Sequence, residues 1–533
     1  MTPIELFLGL LLAAISIALI AKRLDQPYSI ALVVGGFGLS YIPGIPRVQM
    51  DPNFVFFLLL PPVLSEAAFF TSWRDFRRWK RPIMMLAFGL VAATSTLVAW
   101  LCVTFIPGMS WATGFLLGAI VSPPDAAAAT SVTRGMGLPK RITHILEGES
   151  LVNDASGLTL YRFAVAVVSG ATLDWLHVTG EFFWIVIGGW MIGSLIGWTF
   201  VKLYKHLRDP EVEVLATFLV SYLSYFVAEQ VHASGVLSTV ASGLLLGWYA
   251  PELFTANSRI RTFAVWKSVV FLINATIFFL IGLQIRFVLD RLSGYPVMML
   301  AWWSFIILFG VVAIRLLWVF PGAYLPRMLS KTIRETERIP DWRQVLVTGW
   351  TGLRGIVSLA CALALPMETE RGLPFPYRNL LLFLTFVVIL GTLLLQGLTL
   401  RPLIQFLKIP PDRSTEEESL QARIASTERV LEYANEMQSR GECTGAILDR
   451  IRNYYEDRLT DLRARLEQEK GSEIVDAPQG FKNLQEQKIW WKLAKVERDV
   501  VIEMRRSLKI GDETLHEIER DIDLLEARIV PHG

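Results

Sequence analysis

The sequence predicts an all-α polytopic membrane protein followed by a polar helical tail. Composition is the first sign: of 533 residues 53% are hydrophobic, 17 are tryptophan and mean hydropathy is +0.44, far too apolar for a soluble globule. Charge distribution is the second, because Asp, Glu, Lys and Arg are sparse up to about Lys408 and dense beyond it. The third is that apolar segments long enough to cross a bilayer recur thirteen times before that boundary. The net charge of +2 gives no reason to expect a nucleic-acid partner. Cys102, Cys361 and Cys443 lie far apart, without disulfide or metal-ligand spacing, and the six histidines are scattered. No nucleotide fingerprint or catalytic constellation is present, so neither an enzyme nor a cofactor is expected.

The segments run roughly 4–21, 28–42, 53–70, 82–106, 111–133, 142–170, 180–204, 212–229, 234–250, 262–285, 297–325, 343–366 and 378–407. The first has no basic residue before it and Lys22-Arg23 after it. It therefore predicts a retained span with its N-terminus outside, and not a cleaved signal peptide. Loops after odd-numbered segments then carry twenty Lys and Arg, against five after even-numbered ones. By the positive-inside rule the tail is cytoplasmic and the protein sits in the cytoplasmic membrane.

Two segments are internally broken. The fifth contains Ser122-Pro-Pro-Asp125, whose prolines remove amide donors and clash with the preceding turn. The twelfth contains Gly349-Trp-Thr-Gly-Leu-Arg-Gly355, with three glycines and an arginine at depth. If the seventh segment is a linker, each break falls on the fifth span of a six-span half, and the halves enter the membrane in opposite orientation. Paired broken helices in inverted repeats point to a midplane ion site in a secondary transporter.

The densest polar stretch is Glu147-Gly-Glu-Ser-Leu-Val-Asn-Asp154, with an apolar run directly after it. Glu147 is close enough to the segment's start to be solvated, but Asp154 is followed by too much apolar sequence for a loop. On a helix Glu147, Ser150 and Asp154 share one face, while Glu149 lies roughly 140° from Asp154 and must find another partner. Oxygen ligands without thiol or imidazole suit a hard monovalent cation or a proton.

Ser122-Pro-Pro-Asp-Ala126, Gly148-Glu-Ser-Leu-Val-Asn-Asp154 and Gly352-Leu-Arg-Gly-Ile-Val-Ser-Leu-Ala360 together resemble the monovalent cation:proton antiporters, in the sodium/proton exchanger branch with an Asn-Asp pair. Leu60-Pro-Pro-Val-Leu-Ser-Glu-Ala67 is similar to a further signature of that branch. The resemblance covers about 1–408. It implies a homodimer of thirteen-span subunits built as two inverted six-helix repeats with crossed broken helices. The dimerisation part would comprise about 1–81 and 212–295, the transport core about 82–170 and 297–408, and a linker helix about 180–204. It further implies that Asp154 carries the cation and the proton, with Ser150, Glu66 and Ser122 completing the ion contacts. Asn153 would replace the first acid of the two-aspartate branch, and Glu149 and Arg354 would form an ion pair bracing the site. The chain departs from a common family pattern, an acid immediately before the proline of the first break: Pro123 stands there, and Asp125 two positions on is left to compensate the helix dipoles.

Other polar residues in the segments have structural readings. Arg162 and Arg315 lie near enough to segment ends to snorkel. Asn274 and Gln284 fit interhelical hydrogen bonds. The tail, about 409–533, shows helical patterning from Leu420 to Met437 and from Ile447 to Leu462, a connector at Gly471–Gly480 and a last helical stretch ending near Ile529. It suits a solvated helical hairpin supporting a dimer, or a regulatory element with a partner protein. The expected activity is electroneutral sodium/proton exchange, with potassium/proton exchange or a cation channel as alternatives. A channel would need a continuous polar pore, whereas the polar residues here cluster at mid-segment.

Overall fold

The computed structural model describes residues 3–24, 26–42, 54–133, 138–170, 175–207, 209–290, 292, 294–337, 339–369, 371–409, 414–442, 445–467 and 484–529. Cys443 and the connector expected at 471–480 lie outside the described residues. Among the described residues the chain is helical, and its only β-type pairing is an isolated bridge, Glu368 to Pro374.

The helices of the apolar region are α1 (Pro3–Arg23), α2 (Tyr28–Leu39), α3 (Leu60–Phe69), α4 (Trp73–Arg78), α5 (Lys80–Met84), α6 (Val91–Phe105), α7 (Trp111–Val121), α8 (Ala126–Thr133) and α9 (Lys140–Ser169). They continue with α10 (Trp175–Phe183), α11 (Gly189–Tyr204), α12 (Pro210–Gln230), α13 (Gly235–Leu253), α14 (Ala256–Asp290), α15 (Val297–Leu329), α16 (Lys331–Thr336), α17 (Trp342–Trp350), α18 (Ile356–Leu363) and α19 (Arg378–Leu407). A π-helical stretch, Met85–Leu90, joins α5 to α6 as one rod. Among the described residues seven rods are long and apolar enough to cross a membrane by themselves: Lys80–Phe105, α9, Thr179–Tyr204, α12, α14, α15 and α19. This is a multi-pass membrane protein.

Local chemistry fixes several helix starts. Ser110 accepts from the Thr113 amide at α7, and Asp209 accepts from Glu211 and Val212 at α12, with Pro210 in the first turn. With water absent between spans, packing depends on close approach. Gly189, Gly193 and Gly197 form a stripe on α11 that receives Ser234, Ser238 and Ser242; a Cβ at Gly193 would lie 2.0 Å from the Ser238 carbonyl. α2 meets α14 in the same way, where a Cβ at Gly282 would lie 2.2 Å from the Val33 carbonyl. The helix expected as the linker, about 180–204, packs on α13 along this stripe.

The tail is not a hairpin. It forms four helices, α20 (Ser414–Ser439), α21 (Gly445–Leu466), α22 (Leu484–Arg506) and α23 (Asp512–Ile529), around their own core with Trp490, Tyr455, Leu493 and Ile518 at its centre. It docks on one end of the membrane helices. Arg259 of α14 grips Asp523 through two bonds of 2.5 and 3.0 Å, Arg74 bonds Glu418 at 3.0 Å, and Lys140 pairs with Glu513. The Arg505 guanidinium stacks 3.9 Å over the Trp248 ring, and the His516 ring packs edge-on against the Phe70–Phe263 pair. This end is called the tail side below.

Candidate functional site

Both predicted breaks are present and they meet. α7 and α8 are separated at Ser122–Asp125, and α17 and α18 at Thr351–Gly355. A broken helix leaves amides and carbonyls that must find partners inside the protein, and here each break serves the other. The Asp125 amide donates to the Leu353 carbonyl at 2.7 Å. Its carboxylate accepts from the Ile356 amide at the start of α18 and from the Ala128 amide at the start of α8, both at 3.3 Å. One negative side chain thus lies at two positive helix ends. The approach requires glycine, because a Cβ at Gly355 would fall 1.8 Å from Asp125 Oδ2.

Arg354 serves the opposite polarity. Its Nε donates at 3.0 Å to the Val121 carbonyl, which ends α7, and its Nη1 donates to the Gly352 carbonyl. Its own amide donates to Thr392 Oγ1 at 3.2 Å. The guanidinium is wholly buried against carbonyls that the break has freed. The expected brace between Glu149 and Arg354 is therefore corrected: the partner of Glu149 is Arg315. That pair is two-pronged, at 2.6 and 2.8 Å, with neither side chain exposed. Arg315 also donates to the Thr348 carbonyl at 3.3 Å. Gly352 makes room for both arginines, since a Cβ there would meet Arg315 Cδ at 2.5 Å and Arg354 Nη1 at 2.8 Å.

Asp154 faces a cavity of about 1000 Å³ that reaches from the breaks toward Lys22, Gln26, Glu147 and Arg401. Glu147, Ser150 and Asp154 all line it, as their common helix face requires, together with Glu66, Asp125 and Ser358. The Glu149 side chain leaves in another direction, toward α15. Asn153 and Ser122 do not line the cavity. Asn153 is fully buried, with its amide 3.4 Å from the Pro124 carbonyl and its Oδ1 unbonded, and Ser122 is buried with its hydroxyl on the Ala119 carbonyl at 3.2 Å. Gly157 lets α9 close on the first break, with a would-be Cβ 3.0 Å from Pro123. No group of three or more His, Cys, Asp or Glu suited to a metal ion occurs among the described residues.

Three further polar residues differ from their sequence reading. Arg315 does not snorkel: it lies twelve residues before Arg327, roughly 18 Å along the helix, beyond the reach of a side chain to the rim. Counting depth from Arg327 would have found it. Arg162 pairs with Glu229 of α12 at 2.6 and 2.8 Å, joining α9 to that helix on the side away from the tail. Glu229 also accepts from the Gly235 amide at 3.1 Å. Asn274 lines the cavity, and its Oδ1 has no hydrogen bond.

Two broken helices that meet at their breaks, with charged residues of each serving the other's broken ends, and a carboxylate lining a large cavity beside them define a secondary ion transporter. The chain belongs to the transmembrane sodium/hydrogen exchanger family, whose model matches residues 10–406. An uncharacterized Na(+)/H(+) exchanger of Mycobacterium tuberculosis is 30% identical over 535 residues, 98% of this chain and 96% of that protein. The Na(+)/H(+) antiporter NhaH of Halobacillus aidingensis is 32% identical over 412 residues, 74% of this chain and 96% of its own. In fold, the sodium proton antiporter MjNhaP1 of Methanocaldococcus jannaschii superposes with a TM-score of 0.60 at 18% identity, covering 76% of this chain and 97% of that one.

Proposed function

We propose that the protein exchanges sodium for protons one for one across the cytoplasmic membrane by alternating access to Asp154. The observation that carries this is the position of that carboxylate at the floor of the cavity, beside the crossing of the two breaks. A single carboxylate holds a proton or an ionised charge beside a cation, not both, so the two ligands compete and their fluxes are coupled. Glu66 and Ser150 supply further oxygens on the same wall, and we assign them to the cation. Sodium as the cation is supported by the activity named for the halobacillus relative.

In this reading the chain crosses the membrane thirteen times in two inverted repeats and works as a homodimer. The tail side is cytoplasmic, as the excess of basic loops at that end supports. The large cavity open toward Lys22 and Arg401 then corresponds to an inward-facing state.

The test is cation-driven proton flux in proteoliposomes, with sodium, lithium and potassium offered in turn. Sodium should drive flux, and Asp154→Asn should abolish it while the protein remains folded. Full exchange by a folded D154N protein would refute the assignment, and cation current that needs no counter-movement of protons would indicate a channel.

A further inference from the structure

We propose that the helix ends carrying Arg81, Arg141 and Arg327 form a binding site for the phosphate of an anionic membrane lipid. The three arginines come from α5, α9 and α15 and surround a cavity of about 50 Å³, whose other walls are mostly apolar, Trp318 and Met85 among them, with Gln344 and Thr348 the remaining polar side chains. At roughly 10–15 Å³ per water-sized site, that is room for three to five oxygens, the size of one phosphate group.

The charges there are unbalanced. Among the described residues Glu337 is the single carboxylate bonded to the cluster, accepting from Arg81 Nη2 and Arg327 Nη2 at 2.7 Å each. Three guanidiniums against one carboxylate leave two positive charges. Arg327 is 4% exposed, and its Nε has no hydrogen-bond partner; Arg81 Nε and Nη1 are likewise buried and unbonded. Arg141 is held in place by stacking 4.7 Å from the Trp79 ring. Unbonded guanidinium nitrogens at such depth are costly, and a tetrahedral oxyanion with several acceptor oxygens would satisfy them together.

Position selects a lipid as the source of that oxyanion. Arg81 and Arg141 lie in the first turns of two spans and Arg327 in the last turn of a third, so the cluster sits at the membrane rim on the tail side. Apolar side chains beside it face outward: Met328 is 77% and Leu329 79% exposed, with Met84 and Phe88 on the neighbouring rod also exposed. Acyl chains would lie on these residues while the headgroup phosphate enters between the helices, as at other basic pockets between spans.

The experiment titrates the full-length protein in neutral detergent with phosphatidylglycerol, phosphatidylcholine or inorganic phosphate, reading thermal stability and lipid retention by native mass spectrometry. Phosphatidylglycerol should be retained and raise the melting temperature, with phosphatidylcholine having little effect. The double change R81Q/R327Q should weaken phosphatidylglycerol binding about tenfold or more. Arg286→Gln, on the opposite rim, should leave it unchanged. Glu337→Gln should move binding the other way, to tighter, which a general loss of fold does not do and which decides the matter if R81Q/R327Q fails to fold. Equal effects of the two lipids, or no tightening in E337Q, would overturn the site. Full reproduction of the lipid effect by inorganic phosphate would overturn its assignment to lipid.

Discussion

Glu149 of α9 and Arg315 of α15 meet in a two-pronged ion pair, 166 residues apart in sequence and wholly shielded from solvent. Such a pair contributes little net stability compared with an apolar substitute, but removing one partner strands a charge. Glu149→Gln and Arg315→Gln should each cost roughly 3–5 kcal/mol. The double change should recover much of that loss, whereas Glu149→Gln with Arg354→Gln should recover far less, because those two side chains are not bonded to one another. Thermal unfolding of five variants, the three single changes Glu149→Gln, Arg315→Gln and Arg354→Gln and the two doubles, gives both cycles, and strong coupling to Arg354 alone would refute the pairing.

The Arg162–Glu229 bridge joins α9 to α12 on the side of Asp154 away from the tail. In the proposed alternating-access cycle that contact opens in the other state. In a cysteine-free background, a cysteine at Leu158 (L158C) should react slowly with an impermeant thiol reagent applied from that side. Adding Glu229→Gln should speed labelling about tenfold by weakening the closed state. Unchanged labelling would mean that the bridge is not a gate.

The docked tail holds two groups with opposed pH responses. Burial raises the Glu519 carboxyl to about 7, against the opposing pull of Arg259, and with Asp523 adding to the rise. Both its oxygens are buried and unbonded. Burial lowers His516 to about 4, with Asp512 opposing and Arg505 and Arg259 assisting. Between about pH 4.5 and 7 the folded tail holds a proton on Glu519 that the unfolded chain has lost, so this group's stabilisation falls as pH rises, by about 3 kcal/mol in all. Between about pH 4 and 6.5 the unfolded chain holds a proton on His516 that the folded tail lacks, so that stabilisation falls as pH drops. The two slopes oppose one another across about pH 4.5–6.5. Hydrogen exchange in α22 and α23 should accordingly be nearly flat there in the native protein. Glu519→Gln should weaken the tail on acidification, and His516→Asn should strengthen it; parallel responses of the two variants would contradict the scheme.

Asn153 bears on stoichiometry. It contributes an amide that does not titrate in this range, and its nitrogen is directed at the Pro124 carbonyl. In the proposed reading, with Asp154 the one competing carboxylate and Glu66 keeping a single protonation state, each exchange moves no net charge. Proton flux in proteoliposomes, with potassium and valinomycin setting the voltage, should be insensitive to membrane potential. A shift with voltage would show that a second acid titrates, with Glu66 the first to substitute.

The sequence by itself determined the helical membrane architecture, the polar tail, both breaks and the shared face of Glu147, Ser150 and Asp154. These follow from properties local to a segment: length, hydropathy, proline and glycine chemistry, and the 3.6-residue period. Partner choice followed only from the tertiary structure. The period turned Glu149 away from Asp154, but nothing in α9 could say whether Arg315 or Arg354 would meet it, because that depends on how α15 and the second break pack against it. Asp125 likewise looked displaced from its family position until the fold brought the start of α18 to its carboxylate. Asn153 and Ser122 carry the expected chemistry yet lie behind the cavity wall, because Pro123 and Pro124 turn the backbone between them and the open space. The tail shows the same division: its heptad-like apolar spacing disclosed helices, but four of them around one core, gripped by Arg259 and Arg74, required the packed structure. Burying a charge is a demand that the sequence states, and which opposite charge answers it is settled by where the helices come to lie.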